Sequence, residues 1–329
     1  MGTSSRLGIL ILTFASGVFI QVHPAVAQDG TADLLAEAED PGAPTLAFPR
    51  PSWYTEELHQ QILAAGSRGV DVPLPTAEEQ ATELNCLGYS PPYLATDGVS
   101  VGAVSAGGCM VSPSGCTMSF VFTDGTDLYI GTAGHCVSGG GAVVMQVATR
   151  IDPTGTADPV ATLAAIGSVA KRVNQGIGRD FAIVKIDPAF KVVPGVAGAV
   201  GPTGVFCGDP LGQPVIHYGH GYVFAVEQGV AKAGEVIPDL SLVVRFTSEA
   251  TGYNWAGYGL PGDSGSGVMD AAGLVVGNLT HGLGVAGVPI PGLSFGTTTV
   301  GMFGIIGSGY SLVTVDGRRV RCSGLPVGL

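Results

Sequence analysis

The sequence predicts an all-β protein whose main domain folds as two small antiparallel barrels. Glycine supplies 53 and proline 22 of the 329 residues, and a glycine in a helix interior costs about 1 kcal/mol. From residue 101 onward, short apolar runs alternate with Gly, Pro, Asp-Gly or Ser-Gly, which is the pattern of many short strands. About 220 residues suit two such barrels better than one. This glycine content disfavours a helical bundle or a coiled coil. Collagen is excluded, because glycine follows no strict three-residue period.

The first 27 residues have the three parts of a secretory signal peptide. Met1–Arg6 carries one positive charge, Leu7–Ile20 is an apolar run of 14 residues, and Ala25-Val26-Ala27 has the small-x-small cleavage pattern. The apolar run is short for a membrane span. We therefore expect cleavage before Gln28 and a secreted chain that makes no membrane contact after signal removal. The alternative is an uncleaved anchor.

Residues 28–100 form an acidic N-terminal extension. This segment holds 12 acidic and two basic side chains, against 14 and 11 in residues 101–329, so most of the net charge of −12 lies outside the main domain. Only Thr55–Ala65 has the amphipathic pattern of a short helix. Three roles stay open for the extension: the pro-segment of a zymogen, a disordered spacer, or a strap over the main domain. Cys86 favours attachment, because an exported cysteine usually finds a disulfide partner.

Apolar runs mark the expected strands of the main domain. Asp124-Gly125, between two of these runs, is the signal of a β-hairpin. The predicted strands include Thr117–Phe122, Leu128–Ile130, Phe181–Ile186, Pro214–Tyr218, Leu240–Phe246, Leu274–Val276 and Tyr310–Val315.

The charge indicates which class of partner is disfavoured, and the cysteine content indicates that the chain carries disulfides. The acidic balance, with no basic stripe, disfavours nucleic acid as a partner. Six cysteines in an exported chain predict disulfides. A Cys116–Cys136 bridge would hold the loop that contains His135 against the preceding strand. The pairing of the other four stays open: Cys86, Cys109, Cys207 and Cys322.

The first candidate catalytic motif is Thr132-Ala133-Gly134-His135-Cys136. It follows a strand-like run, and its small residues allow a tight turn that leaves the imidazole facing a cleft. The alternative is a structural disulfide beside an incidental histidine.

The second motif places Asp180 at the head of the apolar strand Phe181-Ala182-Ile183-Val184. A buried carboxylate without a partner is costly, and a histidine N–H would satisfy it. The alternative is a turn aspartate at the strand entry. The rival carboxylates each precede a proline in a turn-like context: Asp152, Asp158, Asp187 and Asp209.

The third motif, Gly262-Asp263-Ser264-Gly265-Ser266-Gly267, carries the strongest signal. A serine flanked by glycines can approach a substrate carbonyl closely. The backbone N–H groups of Gly262 and Ser264 can point at one spot and bind a developing oxyanion, which contributes about 3–4 kcal/mol per donor.

The order His135, Asp180, Ser264 is the order of chymotrypsin-type enzymes and differs from those of α/β hydrolases and subtilisins. The three motifs together resemble the chymotrypsin/trypsin-like serine endopeptidase family, in its compact bacterial secreted form. The resemblance covers residues 101–320. Val215–Gly219 is similar to the strand that opens the second barrel of that family, and Val276–Gly282 is similar to the strand that pairs with the substrate backbone beside the specificity pocket.

The resemblance implies a chymotrypsin-like fold of two perpendicular six-stranded antiparallel β-barrels, with the active site in the cleft between them. The protease domain would span residues 101–329, with the first barrel over 101–195 and the second over 196–322. His135 and Asp180 would come from the first barrel and Ser264 from the second, acting as general base, orienting carboxylate and nucleophile. The C-terminal helix typical of the family is not evident, because Tyr310–Val315 has a strand pattern.

The resemblance also assigns substrate-binding positions to Tyr258, Thr280, His281 and Gly282. The absence of an aspartate near Tyr258 disfavours a preference for Lys or Arg. In glutamate-specific relatives a histidine near His281 binds the substrate carboxylate, so one hypothesis is cleavage after acidic residues. We favour the alternative, in which His281 is a surface histidine beside a pocket for apolar side chains. The family pairs the residue at Asp263 with a freed N-terminal amine or an internal arginine, for which Arg172 and Arg245 are candidates.

The predicted function is that of a secreted serine endopeptidase, a monomer acting on protein or peptide substrates without a cofactor. No metal site is predicted, and the HxxH spacing of His217 and His220 is not expected to bind one. Two rival functions remain: a catalytically silent binding module, and an esterase on the same fold.

Overall fold

The computed structural model describes residues 47, 50–76, 79, 87, 103–150, 154–196, 201–221, 230–237, 252–257, 259–285 and 288–322. Several predicted features lie outside these residues: the signal peptide, the strand Leu240–Phe246, Tyr258, Arg245 and Cys86.

Strands dominate the described part of the chain. The helices are α1 (Glu56–Ala65) and α2 (Thr299–Ile306), and 3-10 turns span Gly66–Arg68 and Gly134–Cys136. The strands are β1 (Val70–Pro73), β2 (Ala103–Ser105), β3 (Cys109–Ser112), β4 (Cys116–Thr117), β5 (Val121–Thr123), β6 (Leu128–Thr132), β7 (Ala142–Arg150), β8 (Val160–Asn174), β9 (Asp180–Ile186), β10 (Lys191–Val193), β11 (Gly204–Val205), β12 (Pro214–Gly219), β13 (Val230–Ile237), β14 (Gly252–Gly257), β15 (Gly267–Asp270), β16 (Leu274–Val285), β17 (Val288–Thr298), β18 (Ser311–Val313) and β19 (Arg319–Val320). The prediction of an all-β fold is confirmed.

The first sheet has the strand order β19-β18-β5-β6-β9-β8-β7-β3-β4, with β1 paired to β8. The turn at Asp124-Gly125 joins β5 to β6 as predicted, and the Asp124 carboxylate accepts the N–H groups of Thr126 and Asp127. Its last two strands, β18 and β19, come from a region that the sequence assigned to the second barrel. The C-terminal chain therefore returns to the first sheet after the second is complete.

The second sheet forms a continuous cycle of pairings. β16 pairs with β15, and the pairing continues through β12, β13, β14 and β17, which pairs with β16 again. Within this cycle, β12 is the strand predicted to open the second barrel, and it is paired on both sides. β16 carries the predicted substrate-binding segment and β15 follows the Ser264 motif directly.

Apolar side chains fill the sheets and the space between them. One cluster lies within the first sheet and includes Met110, Ile130 and Ala182. Another joins the two sheets, where Phe120 and Phe181 meet Tyr218 of β12 and Met302 of α2. This packing connects the first sheet, which carries His135 and Asp180, to the second, which carries Ser264.

The run Thr117–Phe122 forms two short strands rather than the predicted single one. The strand is interrupted at Thr117, because the Thr117 N–H donates to the carbonyl of Ser264, on the turn before β15, at 2.8 Å. Two residues later, the Ser119 N–H donates to Gly131 of β6. The chain thus changes its pairing partner between β4 and β5.

Part of the acidic extension packs on the first sheet as a strap, defined here as residues 50–76. The Thr55 hydroxyl caps α1 by accepting the Leu58 N–H at 3.1 Å, so the predicted helix is confirmed. β1 then pairs antiparallel with the beginning of β8. Tyr54, Ile62 and Val72 are buried against the sheet. Of the three roles left open, these residues do not form a disordered spacer.

Disulfides join the chain at two described places. Cys116 bonds to Cys136, and Cys207 bonds to Cys322 across 115 residues of sequence. Cys109 is disulfide-bonded as well, and its partner is not among the residues that the structure describes.

Candidate active site

His135 lies on the 3-10 turn that follows β6. Its backbone N–H donates to Asp180 Oδ1 at 2.9 Å, and Arg172 Nε donates to the neighbouring Gly134 carbonyl at 2.7 Å. The Cys116–Cys136 disulfide holds the next residue to β4. A side chain at Gly134 would collide with the Val173 carbonyl, so the turn approaches β8 closely. These contacts hold the turn that carries His135 at the end of β6.

Asp180 is the first residue of β9 and its side chain is 0% exposed. Its Oδ2 lies 2.5 Å from His135 Nδ1. Burial would raise the pKa of this carboxyl, but the charge and hydrogen bonds of His135, together with the charge of His281, hold the pKa below its ordinary value. The carboxylate is therefore the stable form, oriented by both a backbone and a side-chain N–H of the same histidine.

Ser264 lies on the turn between β14 and β15. Its Oγ is 2.8 Å from His135 Nε2 and 2.9 Å from the Thr280 carbonyl, so its single hydrogen has two acceptors within reach. Gly265 has φ +89°, and a side chain there would collide with Thr117 and Thr132 of the first sheet. Glycine thus lets the serine turn dock onto the histidine's sheet.

Gly262 and Ser264 are the predicted oxyanion donors. Gly262 has φ +97°, a backbone conformation that residues other than glycine rarely adopt. Its carbonyl accepts a hydrogen bond from the Thr117 hydroxyl at 2.7 Å. Across the described ranges, the structure shows no protein acceptor for the backbone N–H of either residue. Both donors thus stand beside the Ser264 hydroxyl without a described protein partner.

Asp263 is buried and points away from the serine. Its Oδ1 accepts the Gly221 N–H at 2.7 Å and its Oδ2 accepts the Leu260 N–H at 2.9 Å. Side chains at Gly219 or Gly221 would collide with this carboxylate. Sequence reasoning missed both glycines, although the pattern Gly219-His220-Gly221 was available as a signal. Of the candidate arginines, Arg172 bonds to the histidine's turn instead.

Thr280, His281 and Gly282 lie on β16, opposite β17. The sequence placed His281 at a pocket wall. The structure places its imidazole beside Asp180, with Nδ1 3.8 Å from Oδ2, and its ring centroid 5.6 Å from that of His135. The side chain turns from β16 toward Asp180 and is 5% exposed, so His281 is not the surface histidine of the favoured alternative.

Among the residues that the structure describes, two side-chain groups have the composition of metal sites. The sulfurs of Cys116 and Cys136 are bonded to each other and offer no thiolate. In the group His135, Asp180 and His281, the 2.5 Å between Nδ1 and Oδ2 is shorter than the about 3.3 Å that separates two ligand atoms on zinc. That separation fits a shared proton.

The predicted HxxH pair has protein partners of its own. His217 Nδ1 lies 2.9 Å from Ser266 Oγ, and His220 Nε2 lies 2.8 Å from the Gly107 carbonyl. Both imidazoles are buried. Within the described residues they connect the second sheet to its own serine turn and to the first sheet.

No helix in the described part of the chain is long and apolar enough to cross a membrane.

Comparisons with known proteins gave structural matches only. No family model and no curated protein matches the chain. It is similar to Thermobifida fusca protease A, at 20% identity and TM-score 0.44, over 64% of this chain and 99% of that one. It is similar to Cellulomonas bogoriensis chymotrypsin, at 19% identity and TM-score 0.39, over 60% and 92%. A third match is a glutamic-acid-specific serine protease described as using a histidine triad in substrate binding, at 16% identity and TM-score 0.40, over 59% and 93%.

Proposed function

We propose that the protein is a secreted serine endopeptidase that hydrolyses peptide bonds through an acyl-enzyme. The observation that carries the proposal is the continuous line of contacts from Asp180 Oδ2 through His135 to Ser264 Oγ, at 2.5 and 2.8 Å. These are the distances at which a base can take a proton from a nucleophile and be oriented by a third group.

In the first half of the reaction, Ser264 Oγ attacks the carbonyl carbon of the scissile peptide while His135 Nε2 takes the hydroxyl proton. Asp180 holds the other ring proton on Nδ1 and stabilises the imidazolium that forms. Collapse of the tetrahedral intermediate breaks the C–N bond, and His135 gives its proton to the leaving amine. The products of this half are the free amine and an ester between the acyl group and Ser264.

In the second half, water replaces the amine. His135 takes a proton from water, the hydroxide attacks the acyl carbon, and the C–O bond to Ser264 breaks as the proton returns to Oγ. The N–H groups of Gly262 and Ser264 would bind the oxyanion in both halves. Their lack of a described protein acceptor supports this role.

For specificity we propose a preference for apolar side chains before the scissile bond. The acidic alternative needs an imidazole facing the substrate, whereas His281 is 5% exposed and faces Asp180. A series of chromogenic peptides that differ only in that residue tests this: faster cleavage after Phe or Leu supports it, and faster cleavage after Glu overturns it.

Hydrolysis of casein by the purified, processed protein tests the activity itself. The control is Ser264→Ala, which removes the nucleophile while the turn keeps its glycines. We expect casein hydrolysis by the wild type and a loss of at least about 10³-fold in the variant. Ester hydrolysis without casein cleavage would favour the esterase alternative. Equal hydrolysis by both proteins would contradict the assignment of Ser264.

A further inference from the structure

Asp180 faces a second imidazole that the proposed reaction does not use. His281 reaches it from β16, with Nδ1 3.8 Å from Asp180 Oδ2, while His135 bonds the same oxygen from the other side. The two rings are tilted by 56° at a centroid distance of 5.6 Å. The buried Asp180 carboxylate thus lies next to two imidazoles, and of these the His135 ring contacts Ser264 Oγ.

The contacts of Thr280 place a proton on His281 Nδ1. The Thr280 hydroxyl donates its hydrogen to the Phe295 carbonyl, and its oxygen lies 2.8 Å from His281 Nδ1. Both contacts are satisfied when Nδ1–H donates to Thr280. The nearby Asp180 carboxylate favours the same arrangement, because it would repel a lone pair at this position. The protonated Nδ1 of His281, hydrogen-bonded to Thr280, thus lies 3.8 Å from Asp180 Oδ2 and brings partial positive charge near the carboxylate.

We propose that His281 is a positioning residue that acts through Asp180 to keep His135 unprotonated, and so able to act as a base, at mildly acidic pH. The inference rests on the proposed function. His281 does not touch Ser264 or the reacting atoms in this arrangement. Its effect is exerted on the carboxylate that the two imidazoles share.

The physical basis is that His135 and His281 both interact with the negative charge of Asp180. The Asp180 carboxylate favours a proton on His135, and a resting His135 that already carries two protons cannot accept the one from Ser264. The N–H of His281 offsets part of that negative potential, so a second proton binds the His135 ring less readily. His135 then stays in its basic form to lower pH.

The described groups around His281 are consistent with this role. Asp180 of β9 and His135 of the 3-10 turn are the described titratable groups that face it, and Arg172 of β8 lies behind His135, bonded to Gly134. Phe295, opposite His281 on β17, carries no charge.

The test compares two substitutions. His281→Phe keeps a ring of similar shape but removes the N–H, whereas His281→Asn keeps an N–H donor near the position of Nδ1. In the full-length processed enzyme, we expect the acidic limb of the kcat/KM profile to move about 0.5–1 pH unit higher in His281→Phe, as a partial charge acting over this distance would produce. The Asn variant should stay within about 0.2 unit of the wild type.

A second readout does not depend on activity. With [15N]histidine labelling, the ring signals of the six histidines can be followed against pH, and that of His135 assigned with His135→Ala. The His135 midpoint should shift as the kinetic limb does. If the Phe variant does not fold, His281→Gln replaces it, because its amide nitrogen reaches the Nε2 position rather than Nδ1.

The outcomes separate the two proposals. A raised midpoint in His281→Phe with a wild-type midpoint in His281→Asn supports the role of His281. An unchanged midpoint in His281→Phe, or equal shifts in both variants, overturns it. Absence of peptide hydrolysis in the wild type would count against the endopeptidase alone, since the NMR titration still measures the effect of His281 on His135.

Discussion

At the scale of single residues, close backbone approach positions the proposed catalytic groups. Gly134 lies against β8 and Gly265 against the first sheet, at positions where any side chain would collide with backbone or with Thr132. The candidate triad could be predicted from the sequence, because each of its residues lies in a short motif that can be recognised without the fold. It did not predict the orientation of His281 or the contacts of Gly219 and Gly221, since these depend on residues distant in the chain.

Substituting Gly134 tests this close approach. In Gly134→Ala the new Cβ would meet the Val173 carbonyl, so the turn must shift and His135 with it. A misplacement of about 1 Å costs on the order of 10²-fold in rate, and we expect at least that loss in kcat/KM. The matched control is Gly139→Ala, where nothing lies within 4 Å of the added Cβ. Equal activity of the two variants would show that the turn tolerates a side chain.

Asp180 gives a pH-dependent contribution to stability. Its pKa is lowered in the folded protein, mainly because the charge and hydrogen bonds of His135 outweigh the effect of burial. The stabilisation is therefore complete above the ordinary carboxyl pKa of 3.8 and is lost as pH falls through the lower folded value.

Urea unfolding of wild type and Asp180→Asn, at pH 7 and again below pH 3.8, measures this contribution. We expect the free energy of unfolding to differ most at pH 7, with the variant less stable, and the difference to shrink in acid. A difference that is the same at both pH values would contradict the account.

At the scale of elements, local signals predicted the helix and several strands, but not the pairing between them. Thr55 and the amphipathic run after it predicted α1, because capping and helical periodicity are local. The pairing of β1 with β8 joins residues about 90 positions apart, and nothing local in Val70–Pro73 indicates it. β1 extends the first sheet along the beginning of β8, whereas Asn174 at the other end of β8 pairs with Asp180.

The strap should therefore affect stability more than catalysis. Ile62 of α1 is fully buried against the first sheet. We expect Ile62→Ala to lower the free energy of unfolding by about 2–4 kcal/mol, with kcat/KM unchanged because the active site lies at the other end of β8. Gln61→Ala, on the exposed side of the same helix, is the control. Thermal or urea unfolding with parallel peptide assays would detect the opposite result, a loss of activity without a loss of stability.

At the scale of the whole molecule, the candidate active site lies where the two sheets meet. His135 and Asp180 come from the first sheet and Ser264 from the turn before β15, as the family resemblance implied. The apolar cluster that contains Phe120, Phe181, Tyr218 and Met302 joins the same two sheets. The composition predicted strands but not the return of β18 to the first sheet or the Cys207–Cys322 bond, because cysteine spacing does not determine pairing.

The remaining disulfide should attach the extension to the main domain. Cys109 is disulfide-bonded, and Cys86 is the one cysteine of the six whose bonding the described residues leave unassigned. We expect a non-reduced digest to contain a Cys86–Cys109 linked peptide by mass spectrometry, which separates on reduction. The extension would then stay attached after a cut between these two residues. A free thiol at Cys86 would contradict this.

The central claim is that His135 and Asp180 make Ser264 a nucleophile. Labelling with a fluorophosphonate, followed by digestion and mass spectrometry, identifies the modified residue directly. The account predicts one phosphonyl group per molecule, located on Ser264, with labelling slowed at least about 10³-fold in His135→Ala and absent in Ser264→Ala. Labelling at another residue, or labelling of Ser264 at an equal rate without His135, would contradict it.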